Sequence, residues 1–241
     1  MIGAPAFYEA IDGTWPAASK QDIGSWTIRD GQGGGKRASA ATGDGTGDIA
    51  QAEMAMRALN QTPLFMIREE DKALDADLHA RGYQIIDPTN GYATPVETLT
   101  DIPIPRVTAF SIWEPLAIME EIWAKGGIGP ARLNIMARPE TKTGILARWN
   151  EKPAGVGFVA IHEGVAMVHA VEVLRHQRRQ GVAQWIMRRA AFWARDNGAH
   201  TLAVLTTANN GPANALYQQL GFATAPGYHY RILPTKDDIS P

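Results

Sequence analysis

Cysteine is absent from the 241 residues, which excludes disulfide staples, thiolate metal sites and a cysteine nucleophile. The 6 histidines fall in no ligand spacing of the His-Glu-x-x-His kind, so no metal is expected. No window approaches the roughly 20 consecutive apolar residues that a helix needs to cross a bilayer, and the amino terminus lacks a basic segment leading into an apolar one. The expectation is a soluble, cytoplasmic chain with no membrane partner. Neither sign of charge dominates: 23 Lys and Arg against 25 Asp and Glu leave a formal net charge of −2, which argues against a general nucleic-acid binder. What is present is apolar: 45% of the chain is hydrophobic, ample for the core of one large domain or two small ones.

The densest signal lies in the second half. An apolar strand, Val165 to Leu174, runs into Arg178-Arg179-Gln180-Gly181-Val182-Ala183, and a helix, Gln184 to Asn197, opens there. The first amides of a helix have no partner within it and sit at the positive end of the macrodipole, so an anion can cap them. Small residues at 181 and 183 let a bulky group approach the main chain, while Arg175, Arg178 and Arg179 add charge. Alone, the pattern also fits an ordinary strand-to-helix connection with solvated arginines. A second strand, Thr201 to Thr206, and a second helix, Asn210 to Leu220, follow, and the helix stops at Gly221.

Arg178, Gly181 and Ala183 fill the spacing Gln/Arg-x-x-Gly-x-Gly/Ala, and Asn210, Ala213, Tyr217, Gly221 and Phe222 fill a second motif at the expected separation. The combination resembles the GNAT superfamily of N-acetyltransferases. The resemblance implies an α/β (α+β) fold with a mixed, mostly antiparallel central sheet flanked by helices. It also implies acetyl-CoA as co-substrate and direct attack of an amine acceptor on the thioester, with CoA thiolate leaving. In such a fold the strands on either side of the phosphate turn splay, and the pantetheine arm binds between them through main-chain groups near Val173 and Leu174. The pyrophosphate then meets Arg178, Arg179, Gln180, Gly181, Val182 and Ala183, with Asn210 either capping its helix or touching cofactor.

Tyr217 occupies the position at which the family places a tyrosine near the thioester sulfur, the candidate general acid; simple packing is the alternative. Strand alternation puts Val171 and Val173 on one face and Glu172 on the other, so Glu172 is the candidate base, directly or through water, unless it is a solvated or ion-paired position. His169 counts with the valines and reads as structural. Trp185, Phe192 and Trp193 read as packing residues, whereas Trp113, Trp123 and Trp149 are candidates for an acceptor pocket. Tyr228 to Tyr230 fall on a last strand where either an acceptor or a second subunit meets the fold, leaving a homodimer open.

Two prolines in Thr98 to Pro105 mark a linker. It divides residues 1–100 from a catalytic domain, 106–241, expected to begin with a helix over Ser111 to Lys125, a second helix over Ala131 to Met136, and hairpins turning at Asn150-Glu151-Lys152 and His162-Glu163-Gly164. Before the linker, a helix over Asp48 to Asn60, a strand over Pro63 to Ile67 and a helix over Asp71 to Arg81 repeat the later order, which suggests a smaller, partial and degenerate GNAT-like unit. Trp26 to Arg29 and Lys36 to Ala40 are expected to form a hairpin around the glycine run 31–35, a mobile tip. The counterpart of the phosphate turn, Thr42 to Asp48, is glycine-rich but acidic and reads as a surface loop. A small amine acceptor is favoured; a protein amine acceptor and a non-catalytic acyl-CoA or partner-binding module are the alternatives.

Overall fold

The computed structural model describes residues 2–234. Before the linker the chain forms α1 (Ala4–Thr14), β1 (Ser19–Ile23), β2 (Trp26–Asp30), α2 (Lys36–Ser39), β3 (Thr42–Gly43), α3 (Ile49–Ala58), β4 (Leu64–Arg68), α4 (Lys72–Ala80) and β5 (Gln84–Pro95). After it come β6 (Ala109–Ile112), α5 (Ala117–Lys125), α6 (Pro130–Ala137), β7 (Thr141–Trp149), β8 (Lys152–His162), β9 (Val165–Val173), α7 (Val182–Asp196), β10 (Thr201–Thr207), α8 (Gly211–Gln219) and β11 (Ala223–Ile232). The linker itself opens on a 3₁₀ turn, Val96–Leu99.

Eight strands make one sheet in the order β4-β11-β5-β10-β9-β8-β7-β6, and β1-β2-β3 make a small second one. Every neighbouring pair in the large sheet is antiparallel except β9 and β10, because the α7 crossover brings β10 back alongside β9. The result is the mixed, mostly antiparallel sheet that the resemblance implies. Strands from both sides of the linker share it: β11 inserts between β4 and β5, and β5 between β11 and β10.

Helices cover both faces. On one, α7 buries Val182, Ile186, Met187, Ala190, Ala191 and Ala194 at the three-and-four spacing of an amphipathic helix. They pack on Ile145, Val159, Val168, Leu202 and Val204, and a buried Ile or Met there contributes about 1.5–3 kcal/mol relative to an exposed one. On the other face, Phe7 and Ile11 of α1 lie over Met167, Ala203 and Tyr230, while Trp123 of α5 and Ile135 of α6 lie over Val156 and Phe158. The hairpins turn where expected, with left-handed φ at Asn150 and Glu151 (48° and 62°) and at Glu163 and Gly164 (47° and 74°). Both dihedrals are then of the sign that matches strand twist.

Two expected elements differ. Ala109–Ile112 is a strand paired with Gly144–Ala147, so the helix begins at Ala117 rather than Ser111; Pro115 lies ahead of it, with Leu116 extended as its cap. The hairpin expected over residues 26–40 is also absent. Ser19–Ile23 is the antiparallel partner of β2, and Lys36–Ser39 is a helical turn. The glycines between them are not a free tip: a Cβ on Gly34 would lie 2.2 Å from Ile135 Cδ1, so the run is packed against α6.

Candidate functional site

β9 and β10 are paired only from Val165 with Thr201 to Val168 with Val204. Beyond that level β9 stays with β8 and β10 with β5, and the two strands part. The cause is local. Ala170 has φ 51°, and the β8–β9 register shifts between Val156 and Phe158, which is a bulge that bends the strand away. Leu174 N–H donates to the Ala154 carbonyl at 2.9 Å. By alternation the main-chain groups of Val173 turn the other way, into the opening, where its carbonyl accepts Arg178 Nε at 3.1 Å.

The opening leads to the start of α7. Gly181, the N-cap, has φ 76° and ψ 4° with no side-chain cap, and Arg179 also has positive φ, 64°. The first helical hydrogen bond beyond the turn runs from Trp185 N–H to the Gly181 carbonyl, so the amides of Val182, Ala183 and Gln184 precede the intrahelical ladder. No atom lies within 4 Å of where a Cβ on Gly181 would stand; the space above the turn is open. Arg175, Arg178, Arg179 and Gln180 are exposed around it. The positive patch does not extend along the helix: Arg188 turns inward to Asp101 and the Leu99 carbonyl, and Arg189 to Ser111.

Tyr217 is buried against Tyr92 and Phe222, with ring centroids 5.7 and 5.8 Å away, in the cluster that holds Val204 and, at its edge, Val171 and Val173. It therefore borders the opening on the α7 side. Burial, with Tyr92 adding to it, raises its pKa well above the ordinary tyrosine value, so it carries its proton near neutral pH, and the hydroxyl has no hydrogen-bond partner among the described residues. Asn210 is the N-cap of α8, its side-chain oxygen accepting Ala213 N–H at 3.3 Å.

Glu172 points to the opposite face, beside Gly126 at the end of α5. Burial raises its pKa, against the lowering pull of Arg178 and Arg132. His169 is not on the valine face, contrary to expectation, because the bulge at Ala170 resets the alternation. It shares the Glu172 face and packs on Trp15 and Phe158. Its Nδ1 faces Arg37 Nη1 at 2.9 Å and its Nε2 faces Thr14 Oγ1 at 2.9 Å. Burial first, and the charge of Arg37 second, hold its pKa well below the usual histidine range. This network joins residues more than 130 positions apart and leaves no local pattern by which a sequence reading could find it. Among the indoles, Trp123 is fully buried and donates to the Ala170 carbonyl at 2.9 Å, fixing the bulge. Trp149 and Trp193 pack on the α7 face, and Trp113 is partly exposed beside Phe158. Among the described residues no group of acidic and histidine side chains could hold a metal, and no helix is long and apolar enough to cross a membrane.

The chain is similar to known proteins in sequence and in fold. Residues 111–222, which run from the end of β6 through α8, match the family described as Acetyltransferase (GNAT) family. An uncharacterized N-acetyltransferase of Bacillus subtilis (strain 168), YobR, is 25% identical over 232 residues, covering 91% of this chain and 94% of its own. A GCN5-related N-acetyltransferase from Kribbella flavida has a similar fold, with a TM-score of 0.75 at 20% identity over 98% of this chain and 97% of that one. A tandem GNAT protein from the clavulanic acid biosynthesis pathway is similar over 76% of this chain and 67% of its own, at 14% identity and a TM-score of 0.57. The match to the Acetyltransferase (GNAT) family thus covers the strand-turn-helix steps that build the opening, and the similarity in fold covers nearly the whole chain.

Proposed function

We propose that the protein is an acetyl-CoA-dependent N-acetyltransferase that moves the acetyl group to a primary amine, with a small molecule as acceptor. The observation that carries this reading is the parting of β9 and β10 beyond Val168 and Val204, next to the uncapped start of α7. An extended pantetheine arm adds to the edge of β9 as a strand would, through Val173; Leu174 shapes that edge but has its amide committed to Ala154. The pyrophosphate accepts the amides of Val182, Ala183 and Gln184 above Gly181, with Arg178, Arg179 and Gln180 around it. Asn210 acts as the cap of α8, next to the thioester end.

In this reading the acceptor amine loses its proton to Glu172 through water, attacks the thioester carbonyl and forms a tetrahedral oxyanion. Collapse breaks the C–S bond, Tyr217 donates its proton to the departing thiolate, and the second proton of the attacking nitrogen leaves as the amide forms and returns through water to Tyr217. A raised carboxylate pKa suits a proton acceptor near neutral pH, and a raised phenol pKa keeps the proton on Tyr217 until the thiolate forms beside it.

The first half reads as a degenerate copy of the second. A short parallel bridge joins Ala41 to Phe65, so β3, α3 and β4 repeat the strand-helix-parallel strand order of β9, α7 and β10. With β5 matched to β11, the order β4-β11-β5-β10 is an exchange of last strands between two units. In the copy, Asp48 caps α3 through Ala50 N–H at 2.9 Å and Asp44 accepts Thr46 N–H. Carboxylates already hold the amides that a phosphate would need, so one cofactor site per chain is expected.

The test is acetyl-CoA-dependent release of free thiol with a panel of primary amines, using Tyr217→Phe as control. Thiol release with at least one amine, reduced in the variant, supports the proposal. Acetyl-CoA binding without thiol release from any amine would favour a non-catalytic binding module.

A further inference from the structure

We infer that Arg37 anchors a carboxylate on the amine acceptor, so that the substrate is an amino acid or another amino carboxylate; this rests on the transfer reaction proposed above. Arg37 comes from α2, in the first half of the chain, yet its guanidinium spans the second. Nη1 donates to His169 Nδ1 on β9 at 2.9 Å, and Nε donates to the Tyr228 hydroxyl on β11 at 3.2 Å. Between those strands lie β10 and β5, so the side chain lies across the sheet face. Its level is fixed at one end by His169, the first residue past the last β9–β10 pair, Val168 with Val204. The guanidinium therefore sits at the point where the strands part, on the face shared with Glu172.

The proton inventory leaves the cation unsatisfied. Thr14 donates its hydroxyl to the Ala10 carbonyl at 2.5 Å, so it accepts from His169 Nε2–H. That tautomer leaves Nδ1 free to accept from Arg37, which has no lone pair to offer. Every capacity of His169 is used, which makes it a holder of Arg37 rather than a base. Tyr228 is held in turn by the Tyr230 hydroxyl at 3.4 Å. Both partners of Arg37 are neutral, and among the described residues no carboxylate lies within ion-pair distance of it. The other well-buried arginines have one: Arg29 has Asp12, Arg188 has Asp101 and Arg231 has Asp75. The Tyr230 hydroxyl also lies beside the guanidinium, and two of its five N–H donors remain without a partner among the described residues.

A guanidinium fixed by neutral groups, lacking a counter-charge and presenting a planar pair of donors, matches the geometry of a carboxylate, which accepts two parallel hydrogen bonds. Arg37 as a residue retains intermediate accessibility, and the ligand is inferred to approach its guanidinium where β9 and β10 part. With the carboxylate on Arg37 and Glu172 further along the same face of β9, the acceptor's ammonium end is drawn toward the proton acceptor and the thioester. The same chemistry rejects amines without an acid group, because binding them leaves the cation desolvated and unpaired.

The experiment compares the twenty standard amino acids with their decarboxylated amines. Binding is followed by ligand-observed NMR on the full-length protein, and turnover by thiol release from acetyl-CoA. For at least one matched pair the amino acid should bind and react with a KM at least tenfold below that of its amine. Arg37→Gln should erase that preference through KM, with Arg37→Lys intermediate and acetyl-CoA binding unchanged in both. If Arg37→Gln does not fold, Tyr228→Phe, which removes one holder of the guanidinium and keeps its charge, should raise KM for the amino acid several-fold and leave the amine unaffected. Equal use of both members of every pair, no amino acid binding, or a preference that survives in Arg37→Gln would overturn the inference. So would an Arg37 effect seen with succinyl-CoA and not with amino acids, which would move the carboxylate to the acyl donor. Absent acetyl-CoA binding is a separate failure, of the transfer reaction, and the NMR comparison then decides the role of Arg37 by itself.

Discussion

Replacing Gly181 separates the phosphate turn's electrostatics from its backbone. The residue is left-handed, with φ 76°, and a Cβ there meets nothing within 4 Å, so a side chain costs only conformational strain, about 1 kcal/mol. Asp and Asn tolerate that region better than most residues, and either one caps a helix slightly better than Gly, offsetting part of the cost. Stability should therefore stay within about 1 kcal/mol, or about 2–4 °C in Tm for a chain of this size. Acetyl-CoA affinity behaves differently. The carboxylate introduced by Gly181→Asp would stand roughly 5 Å from a bound phosphate, and one unit pair at that distance with an effective dielectric near 40 repels by about 1.7 kcal/mol. With a second phosphate charge and loss of the open amides, the penalty is about 2–3 kcal/mol, a fall of about 30- to 150-fold. Gly181→Asn keeps the shape and the capping without the charge and should lose only a few-fold. Calorimetric titration of wild type and both variants reads the difference. Equal affinity for Gly181→Asp and wild type, or equal losses for Asp and Asn, would refute the electrostatic argument.

Further outcomes follow from the same geometry. Tyr217→Phe should lower kcat by about 10²-fold or more while leaving acetyl-CoA affinity unchanged, since the hydroxyl has no hydrogen-bond partner among the described residues; steady-state kinetics checks it. Glu172→Gln should lower kcat/KM and remove its acidic limb, which in wild type falls above the ordinary carboxylate range because burial raises this group's pKa; a pH–rate profile of both proteins tests this. Gly91→Ala would set a Cβ 2.1 Å from the Pro226 carbonyl and 2.9 Å from Phe7 Cζ. It should destabilise by about 1–3 kcal/mol or more in urea unfolding, because it forces apart β5 and β11. Asp75 pairs with Arg231 at 2.7 Å and His229 at 2.8 Å, and the Arg231 hydrogen bond first, then His229, holds its pKa below the ordinary Asp value. A depressed folded pKa gives stability that is present above the unfolded value, about 3.9, and lost as pH falls through the folded one. Asp75→Asn should accordingly flatten the acid limb of stability against pH, measured by unfolding between pH 2 and 6.

The parts of the site that are contiguous in sequence were legible there. Arg178 to Ala183 and Asn210 to Phe222 each lie on one strand-turn-helix step, so local pattern suffices, and both helices and both strands fall close to their expected bounds. Alternation placed Glu172 and Val173 on opposite faces, yet failed at His169, because one extra residue at Ala170 inverts the count and nothing in Val-His-Ala-Val announces a bulge. Trp123, whose indole holds that bulge through the Ala170 carbonyl, lies 47 residues away. Ser111 and Ile112 pass for the start of a helix because they run into the apolar positions of α5; only pairing with β7 makes them part of a strand. Lys36–Ser39 turns helical because the glycines before it pack on α6, a tertiary contact. The insertion of β5 next to β10 depends on strand partners more than 100 residues apart, which no periodicity encodes.

The central claim is that one acetyl-CoA binds where β9 and β10 part, and calorimetric titration of the full chain with acetyl-CoA tests it most directly. The account predicts micromolar affinity, about −8 kcal/mol, at a stoichiometry of one per chain, since Asp48 and Asp44 occupy the counterpart amides. No binding by the folded protein, or two equivalent sites per chain, would contradict it.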